Sequence, residues 1–297
     1  MKPRHPTTTR ADDAFAPAAP SLDDSASTPA ALNAPPVTTD GPALAVMNVT
    51  GRVANPKVSV VIPAINEGAN LRHVLPQIPS TVFEVILVDG GSTDDTIAVT
   101  RTLCPEAMIL QQGRRGKGDA LIAGFAKCRG DIIVMLDADG SANPEEIEYF
   151  VAALLNGADF AKGTRFALGG GTADITWFRR LGNSGLVTLV NLLFGTTYTD
   201  LCYGLNAFWA RCLPHIDVDC DGFEVETQMN LRIAKARLVV QEVGSFESPR
   251  RYGASNLRTI RDGLRVLRVI LSERWRWRSS EAGRPEPRLP RCVPREK

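Results

Sequence analysis

The stretch Val58-Ser-Val-Val-Ile-Pro-Ala-Ile-Asn-Glu67 opens with mostly β-branched apolar residues and ends in polar ones. A short apolar run closed by a proline is typical of a strand that is buried on both faces of a sheet. Two further runs repeat the pattern: Glu84-Val-Ile-Leu-Val88 before Asp89, and Asp131-Ile-Ile-Val-Met-Leu136 before Asp137-Ala-Asp139. The three runs therefore predict strands of one parallel sheet.

Helix-like stretches lie between these runs, at residues 70–77, 94–103 and 118–128. Strand and helix alternating at this spacing predict an α/β domain with a mostly parallel sheet flanked by helices. In such sheets ligands bind at the carboxyl ends of the strands. The polar residues that we expect to meet at this edge are Asn66, Glu67, Asp89, Asp137 and Asp139.

The composition limits the class of protein. The 297 residues suffice for a sizeable core, and 44% hydrophobic and 23% charged residues are ordinary for a soluble globular protein. A net charge of +1 argues against a nucleic-acid-binding protein, which usually has a clear basic excess. The six cysteines form no C-x-x-C pair and have no His cluster nearby, so we expect neither zinc nor disulfides, as in a reducing cytoplasm.

The two ends of the chain differ from its middle. Residues 1–55 are rich in Ala, Pro, Thr, Ser and Asp, so we expect a disordered extension, and we expect a disordered tail at 279–297. The α/β domain is placed at residues 56–256. We see no secretory signal, and polar residues interrupt the apolar region 185–209, so we expect no membrane-spanning helix.

Asp137 and Asp139 stand one residue apart, directly after a buried run. Two such carboxylates can reach one divalent cation, and Mg²⁺ or Mn²⁺ commonly takes one or two carboxylates together with substrate phosphates. The alternative is that both aspartates only cap the following turn. The matching polar groups after two other strands favour the metal site.

Four motifs in this order resemble glycosyltransferase family 2, which has the GT-A nucleotide-sugar-binding fold. They are Val58–Glu67, Val88-Asp-Gly-Gly-Ser-Thr-Asp-Asp-Thr96, Gly116-Lys-Gly118 and Asp137-Ala-Asp139, and the resemblance covers about residues 57–270. Within the family the chain looks most like the dolichol-phosphate mannose synthases and related polyprenyl-phosphate sugar transferases. The motifs for this closer match are Gly163-Thr-Arg165-Phe166, Trp177-Phe-Arg179-Arg180 and Arg251-Tyr-Gly-Ala-Ser-Asn-Leu257.

The resemblance implies roles for the donor residues and an inverting reaction. Pro63, Asn66 and Glu67 would line the nucleoside pocket, and Asp89 would lie near the base or ribose. Asp137 and Asp139 would hold the metal and the diphosphate of a GDP- or UDP-sugar, Asp139 being catalytic. The chain departs from the family at two positions: Gly90 replaces a second acid, and Ser141 stands where the mannose synthases have Gln.

Lys117 invites comparison with a phosphate-binding P-loop. The full pattern fails, because Gln111 occupies the position of its first glycine and Gly118 that of its Ser or Thr. We predict that Lys117 reaches a donor phosphate; the alternative is a solvated loop lysine.

Two groups of residues point to different acceptors. Arg165, Arg179, Arg180 and Arg251 match positions that bind the acceptor phosphate in the polyprenyl-phosphate enzymes, and a guanidinium suits phosphate oxygens. Transfer to a hydroxyl would instead need a general base, and Glu224 or Glu226 could serve. Both acids could also simply stabilise a helix N-terminus.

Residues 257–278 predict a basic amphipathic helix. Its apolar stripe is Leu257, Ile260, Leu264, Leu267 and Leu271, with arginines beside it and Trp275 and Trp277 near its end. This pattern predicts attachment to an anionic membrane surface. The alternative is a helix that packs on the domain with solvated arginines.

The sequence therefore predicts a metal-dependent transferase that moves a sugar to a polyprenyl phosphate, in the cytoplasm and peripherally on the inner membrane face. A family member that uses a hydroxyl acceptor is the second hypothesis. A nucleotidyltransferase would show a Gly-rich basic signature near the first strand, which Pro63-Ala-Ile-Asn-Glu67 lacks. A silent nucleotide-sugar binder would not need intact Asp137 and Asp139.

Overall fold

The computed structural model describes residues 55–114, 116–253 and 258–282, with side chains of the last helix as far as Arg276. Most of the expected disordered extension at 1–55 and tail at 279–297 lies outside the described residues, but residues 279–282 belong to the last helix and not to a disordered tail. Within the described residues, no helix is long and apolar enough to cross a membrane.

The strands form a seven-stranded sheet and a two-stranded ladder. The order in the large sheet is β3-β2-β1-β4-β7-β5-β8, and β6 pairs with β9. The strands are β1 Val58–Ala64, β2 Glu84–Asp89, β3 Met108–Gln111, β4 Ile132–Met135, β5 Phe160–Thr164, β6 Gly171–Thr172, β7 Asn206–Trp209, β8 Val240–Gly244 and β9 Phe246–Glu247. Every neighbouring pair of the large sheet is parallel except those of β7, which is antiparallel to β4 and β5.

The helices pack around the sheet and follow the predicted alternation. They are α1 Gly68–Val74, α2 Thr96–Leu103, α3 Lys117–Phe125, α4 Ile147–Leu155, α5 Trp177–Phe194, α6 Leu213–Ile216, α7 Val225–Lys235 and α8 Thr259–Ala282. The predicted helix at 70–77 is observed as α1 followed by a 3₁₀ turn at Leu75–Gln77. The predicted fold, a mostly parallel sheet flanked by helices with a long C-terminal helix, is confirmed.

The central strands are apolar because both of their faces are covered. Val60, Ile62, Ile86 and Ile133 are fully buried in the main core. In register, Ala64 at the end of β1 lies beside Asp89 at the end of β2. The polar residues that follow these strands are therefore delivered to one edge of the sheet, as the sequence predicts.

The C-terminal helix α8 does not bury the apolar stripe that its sequence suggests. Ile260, Leu264 and Leu271 are 69%, 62% and 54% exposed, whereas Val266 and Ile270 pack with α5 and α7 in a second core. The reason is the buried Glu273, about one turn after Ile270, which forms ion pairs with Arg232 and Lys235 of α7. The orientation that satisfies this acid turns the stripe outward, and Leu257 lies outside the described residues.

Candidate active site

Arg250 connects the polar groups that follow β1 and β4. Its Nη1 lies 3.5 Å from Asp139 Oδ2, and its Nη2 donates to Glu67 Oε1. Glu67 also accepts from Asn70 Nδ2 at 2.7 Å. Burial raises the pKa of Glu67, although Asn70 and Arg250 oppose the shift. Two of the predicted donor-site acids are thus joined through Arg250, which directly precedes the predicted acceptor-site residue Arg251.

Asn66 and Asp89 build the loop at the ends of β1 and β2. Asn66 adopts a left-handed φ of 56°, and its Oδ1 accepts from Thr93 N at 2.7 Å. Asp89 is buried and accepts from the backbone N–H groups of Gly91 and Ser92 at 3.1 and 3.2 Å. Both side chains therefore shape the loop that borders the predicted nucleoside pocket.

Pro63 lies near the end of β1, paired with Val88, and is half-buried. It gives the loop after β1 a fixed start, since its ring restricts the backbone. The nucleoside-binding role of Pro63, Asn66, Glu67 and Asp89 stays a prediction.

Lys117 forms the centre of a charged triad at the other end of this edge. Its Nζ lies 2.5 Å from Asp137 Oδ1 and 2.5 Å from Glu226 Oε1. Burial alone would lower the pKa of Lys117, but the two carboxylates raise it above its ordinary value. Burial raises the pKa of Glu226, with Lys117 opposing the shift. The lysine is therefore held charged, next to the first aspartate of the D-x-D triplet.

The glycines around Lys117 are needed for close packing. A β-carbon on Gly116 would lie 2.0 Å from the Asp221 carbonyl oxygen, and one on Gly118 would lie 1.9 Å from that of Cys220. Gly118 N also donates to Asp221 O at 2.9 Å. The Gly-Lys-Gly motif thus docks the start of α3 against the loop that leads to Glu224 and Glu226.

The arginines of the predicted acceptor site are placed very differently from one another. Arg165 is buried; its Nε and Nη2 donate to the two oxygens of Asp200 at 2.7 and 2.9 Å, and its Nη1 donates to Glu247 at 3.1 Å. Every nitrogen of this guanidinium therefore has a carboxylate partner.

The other three arginines are more accessible. Arg179 lines the main cavity and lies 3.6 Å from Asp174. Arg180 is exposed over the Phe166 ring, and Arg251 is exposed; neither lines the cavity. Their assignment to the acceptor phosphate stays a prediction.

The two candidate bases differ in their access to the cavity. Glu226 lines it, whereas Glu224 is buried outside its lining, with Oε1 3.6 Å from Arg265 Nε. Glu224 Oε2 has no hydrogen-bond partner among the described residues. A base role therefore has better geometric support at Glu226.

One cavity of about 450 Å³ joins these groups to the gap between α5 and α8. The charged residues of its lining are Lys117, Asp137, Asp139, Arg165, Arg179, Glu226 and Glu247, and they form its polar end. Its other end is apolar, lined by Ile175, Phe178, Leu186, Ile260, Leu264 and Leu267. The cavity thus leads from the D-x-D triplet to the outward-facing apolar surface of two helices.

The polar end fits a divalent cation that is shared with a ligand. Gly204 leaves open the space beside Asp137 Oδ2, since a β-carbon there would lie 1.9 Å from this oxygen. Asp139 Oδ1 accepts from Ser141 N at 3.0 Å, which orients the second carboxylate. The described residues contain no group of three or more acidic, His or Cys side chains that could hold a metal alone. Such a two-carboxylate set suits Mg²⁺ or Mn²⁺ completed by phosphate oxygens.

The mostly parallel sheet, with a carboxylate-lined cavity at the carboxyl ends of its strands, defines a glycosyltransferase of the GT-A fold class. The chain belongs to glycosyl transferase family 2, whose model matches residues 59–211. The family and the fold predicted from the motifs are thereby confirmed.

Relatives and solved structures agree with this assignment. The chain is 31% identical to the polyprenol monophosphomannose synthase of Mycolicibacterium smegmatis, over 67% of this chain and 80% of that protein. It is 33% identical to the dolichol-phosphate mannosyltransferase of Pyrococcus furiosus, over 62% of this chain but only 54% of the relative. Glucosyl-3-phosphoglycerate synthase from Mycobacterium tuberculosis in complex with UDP superposes with a TM-score of 0.61 and 24% identity, covering 75% of this chain and 81% of that one. The same enzyme is known with Mn²⁺, UDP and glucosyl-3-phosphoglycerate.

Proposed function

We propose that this protein transfers a sugar from a nucleotide-sugar donor to a polyprenyl phosphate at the inner membrane face, with inversion at the anomeric carbon. The observation that carries the proposal is the single cavity that runs from Asp137 and Asp139 to an apolar mouth between α5 and α8. A lipid phosphate matches this cavity, because it joins an anionic headgroup to an apolar chain.

The donor would occupy the polar end. Asp137 and Asp139 would hold Mg²⁺ or Mn²⁺, which when bound neutralises charge on the leaving diphosphate. Lys117 contributes a fixed positive charge beside Asp137. Pro63, Asn66, Glu67 and Asp89 would form the nucleoside side of the pocket. Both UDP- and GDP-sugars are donors to test: the structural neighbour is known with UDP-glucose, a GDP-sugar follows from the resemblance to the mannose synthases, and Gly90 leaves the choice of base open.

The acceptor phosphate would enter from the apolar end. A phosphate is already an anionic nucleophile, so no residue has to remove a proton from it. This agrees with the ion pair that Glu226 forms with Lys117. Arg179 is the best candidate for binding this phosphate, because it lines the cavity with its nearest acid 3.6 Å away. Arg165 would support the site through Glu247 and Asp200; Arg180 and Arg251 would act only at its rim.

The membrane would lie against the mouth of the cavity. Trp177, Leu181 and Leu264 are 76%, 63% and 62% exposed around it. Exposed arginines of α8 stand beside this surface. Aromatic and aliphatic side chains flanked by arginines suit insertion into the headgroup region of an anionic bilayer.

The test is product formation from radiolabelled UDP- and GDP-sugars with Mg²⁺ or Mn²⁺, with and without short polyprenyl phosphates. We expect label in an organic-extractable, acid-labile product only when the lipid phosphate is present. Asp139→Ala should abolish this product while keeping the fold, as followed by circular dichroism. Full activity in that variant would contradict the metal-site assignment.

A second candidate is a family 2 transferase with a hydroxyl acceptor and Glu226, or less directly Glu224, as base. The observation in its favour is the raised pKa of Glu226, which lies in the cavity. Donor hydrolysis or transfer to a soluble acceptor, with no lipid product, would favour it. If Glu226 is the base, Glu226→Gln should abolish transfer and Glu224→Gln should not.

A further inference from the structure

A second cavity of about 290 Å³ adjoins the first and has a strongly basic lining. It is lined by Gly116, Lys117, Gly222, Phe223, Arg258, Arg261, Asp262 and Arg265. Lys117, Phe223 and Asp262 line both cavities. A ligand in the smaller cavity would therefore lie next to the polar end of the larger one.

Two of the three arginines that line this cavity, Arg258 and Arg261, form no ion pair among the described residues. Arg261 and Arg265 lie on one face of α8, since residues four apart are neighbours on a helix, and Arg258 directly precedes the helix. Arg265 lies 3.6 Å from Glu224, but the ion pairs among the described residues include neither Arg258 nor Arg261. The one acid in the lining, Asp262, accepts from the backbone N–H of Arg258 at 2.7 Å. The arginine side chains are thus available to an anion.

Guanidinium groups clustered in this way favour phosphate, because their planar N–H donors match its oxygens. Gly116 and Lys117 mark the start of α3, a nine-residue helix whose N-terminal end adds a partial positive charge. Two features of this pocket, the arginines and the N-terminal end of α3, therefore favour the same ligand chemistry.

We propose that this basic pocket, formed mainly by Arg258 and Arg261, binds the phosphates of the nucleoside diphosphate part of the donor. The inference rests on the proposed function, because it takes the donor to be held at Asp137 and Asp139. Lys117 links the two places: it lines the basic pocket and its Nζ lies 2.5 Å from Asp137. Helix α8 then contributes to both substrates, with its arginines to the donor and its apolar stripe to the acceptor.

The experiment measures binding of UDP and of GDP to the full chain by isothermal titration calorimetry with Mn²⁺. The test variant is Arg258→Gln combined with Arg261→Gln. The control is Arg268→Gln, because Arg268 is an exposed arginine of the same helix outside both cavity linings. Arg265 is left intact, since its removal would strand the buried Glu224. We expect the dissociation constant to rise about tenfold or more in the double variant, the effect of one or two lost charge-assisted hydrogen bonds.

The control variant should change the dissociation constant less than about twofold, as a screened surface charge does. An unchanged dissociation constant in the folded double variant would overturn the inference. So would a selective loss of binding to phosphatidylglycerol vesicles, which would assign the pocket to a lipid headgroup instead. Weakened nucleotide binding without any transfer to polyprenyl phosphate in wild type would support the pocket and reject the proposed acceptor. Failure of wild type to bind either nucleotide would reject both.

Discussion

Gly204 and Asp137 are so close that only a hydrogen atom fits on the Cα of Gly204. A β-carbon at this position would lie 1.9 Å from Asp137 Oδ2 and 2.7 Å from its Cγ. The glycine therefore decides where the first carboxylate of the D-x-D triplet stands.

Gly204→Ala should displace that carboxylate and lower the rate of sugar transfer about 100-fold, the effect of an ångström-scale misplacement of a reacting group. The rate at saturating donor and acceptor measures this. Gly185→Ala is the control, because a β-carbon there meets nothing within 4 Å. Equal rates in the two variants would show that the position of Asp137 is not critical.

Lys117→Met should steepen the loss of stability with rising pH that Glu226 causes in the triad. Burial raises the pKa of Glu226, and the variant removes the cation that opposes this shift. An acid whose folded pKa is raised stabilises the protein fully only below its unfolded pKa, and the stability falls as the pH rises through the folded value. We expect the melting temperature of the variant, relative to wild type, to fall between about pH 5 and pH 8.

Lys127→Met is the control for that change, since Lys127 is an exposed lysine that lines neither cavity. A constant difference in melting temperature between Lys117→Met and wild type across this range would contradict the assigned coupling.

Glu273→Gln should loosen α8 in a pH-dependent way. Although burial alone would raise it, the pKa of Glu273 is lowered by Lys235 and Arg232. A depressed pKa gives stability that is present above the unfolded value of about 4.5 and is lost as the pH falls through the folded value. The variant should lose about 1–3 kcal/mol of unfolding free energy at pH 7.

Below about pH 4 the difference should shrink, because the wild-type carboxylate is then protonated as well. Urea unfolding at the two pH values measures both quantities. Glu148→Gln, at an exposed residue of α4, should be neutral at either pH. A deficit that is independent of pH would mean that packing, not charge, holds α8 here.

Trp177→Ser combined with Leu264→Ser should weaken binding to anionic vesicles about tenfold or more, because each side chain would lose the gain from apolar burial. Co-sedimentation with phosphatidylglycerol vesicles measures this. Tyr149→Ser is the matched control, since Tyr149 is 65% exposed on α4. Nucleotide binding should stay unchanged in the double variant and in the control. Equal vesicle binding by the double variant and wild type would reject this surface as the membrane contact.

The donor side of the site was predictable because each of its motifs is contiguous in sequence and follows a strand. The position of Asp137-Ala-Asp139 after β4, and that of Glu67 after β1, follow from apolar runs alone. The close packing around Gly116 and Gly118 was not predictable, since it depends on a loop more than 100 residues away, at Cys220 and Asp221.

The acceptor side was harder to predict, because its geometry depends on pairs that are distant in sequence. Arg165 meets Asp200 and Glu247, 35 and 82 residues further along. The outward turn of the α8 stripe depends on the pairing of Glu273 with α7, which periodicity does not reveal. The role of Gly204, just before β7, could not be predicted, because nothing in the sequence named Asp137, 67 residues earlier, as its partner.

The reversed direction of β7 has a consequence for how new specificities could arise. Because β7 runs against β4, with Asn206 beside Met135, the chain enters β7 at the edge where β4 leaves it. Residues 202–205 therefore line the cavity without belonging to any donor motif. Substitutions at Cys202 or Leu205 would remodel the space for the acceptor, whereas Gly204 has to stay because it sets the position of Asp137. The fold thus separates the part of the chain free to diversify from the part that must be inherited unchanged.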